Sequence, residues 1–296
     1  MVSTQKSGYA FVVLAAVLWA ASGSSAKFLF NGGMTAMQLI QLRTGLSFIS
    51  LLAWLAVWNR SLLKIAVKDL FYFFLLGTIG LAAAQFFYLF AISKINVAVA
   101  ILLHYTGPVF VALYSALFLG EKLTGKSITA ILGALAGCYL MVGAYDLNIL
   151  SLNRVGIMGG IAAALAFAAY SLLSEYGMRK YSPWTVLLYG MLFAALLWNV
   201  VQPPFNSLAR SYSAVEWWWI LFIGIGGTTI PFGLYFEGVS RIRATHASVT
   251  ATLEPITAGV MSAVFLGEML GPWQILGGVL VIASILVLQW KSRNNN

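Results

Sequence analysis

Charge is what this chain has least of. Asp, Glu, Lys and Arg together make up 8% of its 296 residues, and only 8 of those side chains are acidic. A soluble domain carries about a quarter charged residues, so water is not the main solvent of this chain. Cysteine is nearly absent too, and the single Cys138 excludes an intramolecular disulfide. The sequence holds no Walker loop, no zinc-spaced His/Cys set and no nucleophile elbow. Its glycine clusters lie within or between apolar runs rather than after a strand, so they are not phosphate loops. No cofactor, no metal and no enzymatic chemistry is expected. Connecting segments are short, and none has room for a soluble domain.

What remains is apolar. Hydrophobic residues reach 61% and mean hydropathy is +0.90. Runs of about 20 apolar residues cross a bilayer as helices. Such runs recur at 8–30, 35–58, 69–91, 97–118, 125–145, 155–177, 183–203, 215–238, 244–266 and 271–290. The expected fold class is an all-α integral membrane protein with ten transmembrane helices. The first run is too long for the apolar region of a signal peptide, and no clear cleavage site follows it. Alternate connections receive 12 and 4 of the 17 basic residues, with Arg43 inside the second run. By the positive-inside rule both termini are cytoplasmic, in a multi-pass protein of the inner or plasma membrane. The net charge of +9 is spread over short segments rather than one face, so no nucleic-acid partner is expected.

The segment Phe118-Leu119-Gly120-Glu121 returns as Phe265-Leu266-Gly267-Glu268, 147 residues later. The same offset sets Gly80 on Gly227, Tyr88 on Tyr235, Ala100 on Ala247, Pro108 on Pro255 and Ser115 on Ser262. An offset of 148 aligns Gly8 with Gly156 and Leu39 with Leu187. Two copies of a five-helix unit follow, residues 1–148 and 149–296. Five is odd, so the second copy enters the bilayer from the opposite face. Inverted repeats of this kind build secondary transporters, with substrate held near the midplane between them. Glu121 and Glu268 themselves fall in turns after the fourth and ninth runs, where helix capping is the plain role.

Two blocks of the form P-x(11)-G-E, Pro108 to Glu121 and Pro255 to Glu268, resemble the EamA-type drug/metabolite transporter superfamily. The stretch "LEPITAGVMSAVFLGEMLGPWQILGGVLVIAS" is close to that family's pattern, and "WAASGSSAKF" (Trp19 to Phe28) resembles its first helix. The resemblance covers essentially the whole chain. It implies a ten-helix carrier with a central cavity lined by helices 1–4 and 6–9, helices 5 and 10 being peripheral. Exporters of amino acids and other metabolites belong to the family. The first copy departs from the pattern by carrying Gly107 where the second has Glu254.

Ionisable groups inside a membrane cost about 2.5–3.5 kcal/mol on insertion scales and usually face a cavity or a partner. Glu254 lies ten residues into the ninth run, about 15 Å at helical rise and so near the midplane. It precedes Pro255, which leaves the carbonyl of Ala251 without its donor. Proton coupling, an ammonium contact, or simple satisfaction of kinked backbone all suit it. His104 stands near Pro108 in the fourth run and is a candidate proton relay, substrate contact or packing histidine. Arg43 is the only arginine well inside a run. It suits a substrate carboxylate in fork geometry, or a pair with Glu254. Gln38 and Gln41 share a helix face and offer amide contacts, as does Gln85 in the third run. Lys27 and Glu175, equivalent positions near the ends of their repeats' first helices, are read as gate residues. Pro108 and Pro255 are grouped with them in coupling and gating. Glu237 and His246 lie nearer the cytoplasmic surface and are taken as solvated.

Aromatics are plentiful, with 10 Trp, 13 Tyr and 19 Phe. Trp217, Trp218 and Trp219 suit an interfacial belt. Trp19, Tyr88, Tyr105, Tyr170 and Tyr235 fall within runs, where packing competes with an apolar pocket or a cage for a cation. Gly133 and Gly137 form GxxxG, which permits close helix approach within the monomer. A monomer and a homodimer both stay open.

The leading expectation is a secondary transporter, moving a small polar or zwitterionic metabolite by alternating access. An amino acid fits best, with Arg43 for the carboxylate and Glu254 for the ammonium; export and proton coupling are added expectations. A carrier of quaternary amines or hydrophobic cations is the alternative, and an Arg43 free to meet substrate argues against it. A channel would need a continuous polar lining, and a membrane enzyme paired catalytic groups. The sequence offers neither.

Overall fold

The computed structural model describes residues 2–95, 97–146, 153–266 and 270–289, and among them every regular element is helical. Helix α1 spans Val2–Asn31 and α2 spans Ala36–Trp58. A bent third rod follows: α3 (Leu70–Leu75), a π-helical stretch (Leu76–Ala82) and α4 (Ala83–Lys94). Next come α5 (Val97–His104), α6 (Gly107–Phe118) and α7 (Gly125–Met141). Helices α8 (Arg154–Gly177), α9 (Pro183–Val201) and the short α10 (Pro204–Leu208) open the second half. There α11 (Ala214–Leu221) runs through a second π-helical stretch (Phe222–Thr229) into α12 (Ile230–Ala251). Helices α13 (Leu253–Leu266) and α14 (Pro272–Gln289) complete the chain.

Among the described residues eight segments are long and apolar enough to cross a membrane, and the apolar α7 is shorter at 17 residues. The main departure from the sequence reading lies between its eighth and ninth spans, where a loop was expected over 239–243. Helix instead runs on to Ile242, because Val239 and Ile242 extend its buried stripe, and the expected break shrinks to a kink where two helices meet. Only Arg243 leaves helical geometry, at φ 71° and ψ 160°. The expected fourth and ninth spans are each broken in two, at Tyr105–Thr106 and at Thr252.

In lipid, helices gain little by hiding apolar side chains from one another, so close backbone approach governs their packing. Helix α8 buries Gly156, Gly159, Gly160, Ala163 and Ala164 along one stripe. The contacts keep their pattern when the two halves are exchanged. Helix α1 packs on α12 as α8 packs on α4, and α2 meets Phe222–Thr229 as α9 meets Leu76–Ala82. A methyl added to Gly8 would lie 2.7 Å from Ile242 Cγ2, and one on the equivalent Gly156 would lie 2.6 Å from Ile95 Cγ2. Gly227 abuts Ser22 just as Gly80 abuts Tyr170. The π-helical stretches also fall at equivalent places, a feature the apolar pattern does not announce. Large apolar side chains such as Val57, Leu117 and Val200 stand exposed on the outside, where hydrocarbon would meet them.

Helices α7 and α14 pair with each other, and the glycines of GxxxG serve that contact inside one chain. A methyl on Gly137 would lie 2.6 Å from Val281 Cγ2 and 2.7 Å from the Gly277 carbonyl oxygen. Backbone cannot yield as a side chain does. Gly137→Ala is therefore expected to lower thermal stability by about 1–3 kcal/mol, with Gly277→Ala similar and the double variant less than additive. An unchanged unfolding temperature in detergent for both single variants would show that the two helices part freely.

Candidate functional site

The site begins with two missing hydrogen bonds. Pro108 and Pro255 have no N–H for the carbonyls of His104 and Ala251, four residues earlier. The chain breaks before each proline, between α5 and α6 and between α12 and α13. Threonine hydroxyls bond other carbonyls beside the breaks: Thr106 Oγ1 donates to Leu103 O at 2.7 Å and Thr252 Oγ1 to Val249 O at 2.6 Å. Side chains beside the breaks then meet across the two halves. Tyr105 Oη donates to Glu254 Oε2 at 2.6 Å. Tyr105 is buried, whereas Glu254 keeps partial exposure.

From this pair a line of rings crosses the bundle. His104 lies 5.1 Å from Tyr88, 5.3 Å from Tyr105 and 5.2 Å from Phe167, measured between ring centroids. Phe167 is 5.1 Å from Tyr170, which in turn is 5.7 Å from Phe232 and 5.8 Å from Tyr235. Trp19 closes the line at 5.1 Å from Phe232 and 5.4 Å from Tyr235. Helices α1, α4, α5, α8 and α12 each contribute. Three polar atoms among these candidates are buried without a hydrogen-bond partner: Trp19 Nε1, Gln85 Oε1 and His104 Nδ1. Each such group costs about 1–3 kcal/mol unless something satisfies it. Tyr235 is better served, sharing a hydrogen bond of 2.8 Å with Ser171.

Arg43 approaches from α2. Its Nε donates to Thr228 Oγ1 at 2.9 Å, and Nη2 reaches the Gly227 carbonyl oxygen at 3.4 Å. Both partners belong to the π-helical stretch Phe222–Thr229, and Thr228 Oγ1 donates onward to Ile223 O, five residues back, at 2.7 Å. The wide turn thus supplies a hydroxyl and a carbonyl that steer the guanidinium without neutralising it. Glu254 acts electrostatically on Arg43, Tyr88, Tyr105 and Tyr170. Among the described residues no ion pair involves Arg43 or Glu254; the pairs found join Lys180 to Asp69, Arg210 to Glu216, Arg241 to Glu237, and Arg243 to Glu121 and Glu175.

Other sequence candidates are placed elsewhere. Gln38 forms the capping box of α2, its Oε1 accepting from Thr35 N at 2.9 Å. Gln41 Nε2 donates to Asn199 Oδ1 at 3.1 Å and Gln202 O at 2.7 Å, and Gln41 Oε1 accepts from Ser207. It ties α2 to the end of α9. Glu175 joins Arg243 at 3.3 Å. Glu237 pairs with Arg241 at 2.9 Å and His246 meets Tyr9 at 2.6 Å, so neither is simply solvated. The side chain of Lys27, and Glu268, lie outside the described residues. Sequence reasoning passed over Phe167, Phe232 and Thr228. The repeat offsets held a signal for two of them, since Phe167 stands at the equivalent of Trp19 and Phe232 at that of Gln85.

Comparison with known proteins places this arrangement. The stretches 6–143 and 154–290 each match the EamA-like transporter family. An uncharacterized transporter of Archaeoglobus fulgidus is 32% identical over 290 residues, covering 96% of both chains. The threonine/homoserine exporter RhtA of Escherichia coli is 25% identical over 280 residues, covering 93% of this chain and 88% of its own. A crystal structure with 21% identity superposes with a TM-score of 0.76 over 97% of both chains, which speaks to fold alone. Two family matches spanning nearly all of a helical, apolar chain settle its class: it belongs to the EamA-like transporter family, and it is a multi-pass transporter of the cell membrane.

Proposed function

We propose that the protein is a secondary transporter that exports a zwitterionic metabolite, an amino acid, by alternating access. One observation carries this reading. Glu254, bonded by Tyr105 beside the line of rings and the broken helices, and Arg43, held by Thr228, form no ion pair among the described residues. Interrupted helices and midplane sites are how inverted-repeat transporters hold substrate. Glu254 takes the ammonium, the free edge of Arg43 takes the carboxylate, and Trp19, Tyr88, His104, Tyr170 and Tyr235 receive the side chain. The buried polar atoms of Trp19, Gln85 and His104 add hydrogen-bonding capacity. Export is favoured by the function in the name of the Escherichia coli relative.

The proposal includes ten crossings in two inverted units, 1–148 and 149–296, with both termini cytoplasmic. Counting Arg243 as the boundary between the eighth and ninth crossings, and the breaks at Tyr105–Thr106 and at Thr252 as interruptions within crossings, yields that number, and the bias of basic residues sets the orientation. Glu254 is also the proposed proton-coupling residue. The second reading, a quaternary amine or hydrophobic cation, draws on the rings around one carboxylate. A guanidinium that forms no ion pair among the described residues weighs against it.

Thermal unfolding in detergent against amino acids, quaternary amines, nucleosides and sugars is the deciding experiment. A ligand at about 100 times its Kd stabilises the native state by about 2.7 kcal/mol. Amino acids are expected to raise the transition temperature, and Arg43→Ala to weaken their binding about 10- to 100-fold through a lost charge-assisted contact. Stabilisation by quaternary amines alone would transfer the site to the cation reading.

Coupling has its own check. Glu254→Gln should leave the protein folded and make substrate binding independent of pH around neutrality. An unaltered pH profile in that variant removes Glu254 from proton coupling while leaving its place in the substrate site open to the ligand panel.

A further inference from the structure

Several helix ends converge at a residue that the substrate site does not use. Arg243 has a φ of 71°, the only positive value for a non-glycine residue among those described. That conformation is disfavoured for a side chain of this size and persists where surrounding contacts hold it. The contacts are identifiable. Arg243 Nε lies 3.3 Å from Glu175 Oε1, and Nη2 lies 3.4 Å from Glu121 Oε2. The next two residues repeat the link: Ala244 N donates to Glu175 Oε2 at 2.7 Å, and Thr245 Oγ1 to Glu121 Oε2 at 3.0 Å. His246 Nδ1 then meets Tyr9 Oη of α1 at 2.6 Å.

Glu121 follows α6 in the first half, Tyr9 belongs to α1, and Glu175 lies in the last turn of α8 in the second half. Four consecutive residues, 243–246, therefore clamp three elements drawn from both halves. The repeat offsets show that this clamp is not duplicated. The positions equivalent to Arg243, Glu175 and Glu121 are Asn96, Lys27 and Glu268, a different set of charges.

We infer that residues 243–246 form a latch, pinned by Arg243, that keeps this end of the bundle closed, and that transport opens this end by parting Glu121 and Glu175 from them. The inference rests on the alternating-access reading. The latch is suited to repeated release. The Arg243 side chain is 47% exposed, so water can replace its ion-pair contacts, while both carboxylates are mostly covered at 13%. Without the guanidinium, two carboxylates are left close together with like charge. The strained backbone at Arg243 relaxes when the clamp lets go.

The test uses a buried reporter between the latch and the Thr252 break. Ser248 is 0% exposed, and Ser248→Cys in a Cys138→Ala background gives one thiol to follow with a membrane-impermeant maleimide. Vesicles of both orientations let the reagent approach either face. Labelling from the face bearing residue 243 should be slow in the reporter protein. It should become about three- to tenfold faster in Arg243→Gln and in the Glu121→Gln/Glu175→Gln pair, with Arg243→Lys close to the parent. Arg243→Gly is a second charge-free variant, since glycine adopts φ 71° without strain; it should label fast should the glutamine variant fold poorly. Unchanged labelling in the charge-free variants overturns the latch, as does equal acceleration from both faces or in Arg243→Lys. Ligand-induced stabilisation in the same preparations separates the two ideas. Its absence for every amino acid would sink the substrate reading, whereas the labelling rates alone decide the latch.

Discussion

A proline inside a membrane helix removes a backbone donor where hydrocarbon offers no water to replace it. Pro108 and Pro255 impose that deficit at equivalent points of the two halves, and the architecture around them follows from it. The helices break, the Thr106 and Thr252 hydroxyls bond carbonyls beside the breaks, and the polar backbone left there has to be enclosed by protein or lie beside a cavity. Enclosure brings the two breaks together, and the hydrogen bond from Tyr105 to Glu254 is the contact that joins them.

Holding broken helices in place requires rigid neighbours. The small-residue seams provide them, because Gly8, Gly80, Gly156 and Gly227 let backbones approach more closely than any side chain would allow. The π-helical stretches have a related use. An extra residue in the turn turns hydroxyls and carbonyls sideways, and in the second half Thr228 and Gly227 spend them on Arg43. A guanidinium is thereby supported inside the bundle by neutral dipoles, which leaves its charge available.

The two halves share a backbone plan but not a chemistry. Glu254 faces Gly107 across the repeat alignment, Phe232 faces Gln85, and Arg243 faces Asn96. Symmetric packing permits the rocking that the transporter proposal requires, whereas the asymmetric residues give the site one carboxylate and the bundle one charged clamp. Each side chain of this kind has a different residue at the equivalent position of the other half, so the internal repeat locates candidate positions without assigning their roles.

Much of this was legible in the linear chain, for a physical reason. A membrane helix is recognised by a local property, about 20 apolar residues in succession, and an internal repeat by an offset. Membrane class, the repeat and the presence of Glu254 and Arg43 inside apolar runs needed nothing further. Tertiary structure decided what local pattern could not. Gln41 and Arg43 are two residues apart, which sends them to different helix faces: one is consumed by Asn199, Gln202 and Ser207, the other is steered by Thr228. Phe167 and Phe232 look like any of the 19 phenylalanines until helices far apart in sequence bring them beside His104 and Trp19. Arg243 reads as one more topogenic charge in a loop until Glu121 and Glu175 converge on it. Hydropathy is a property of neighbours along the chain, while the role of a charge depends on which partner, often more than a hundred residues away, folding puts within reach.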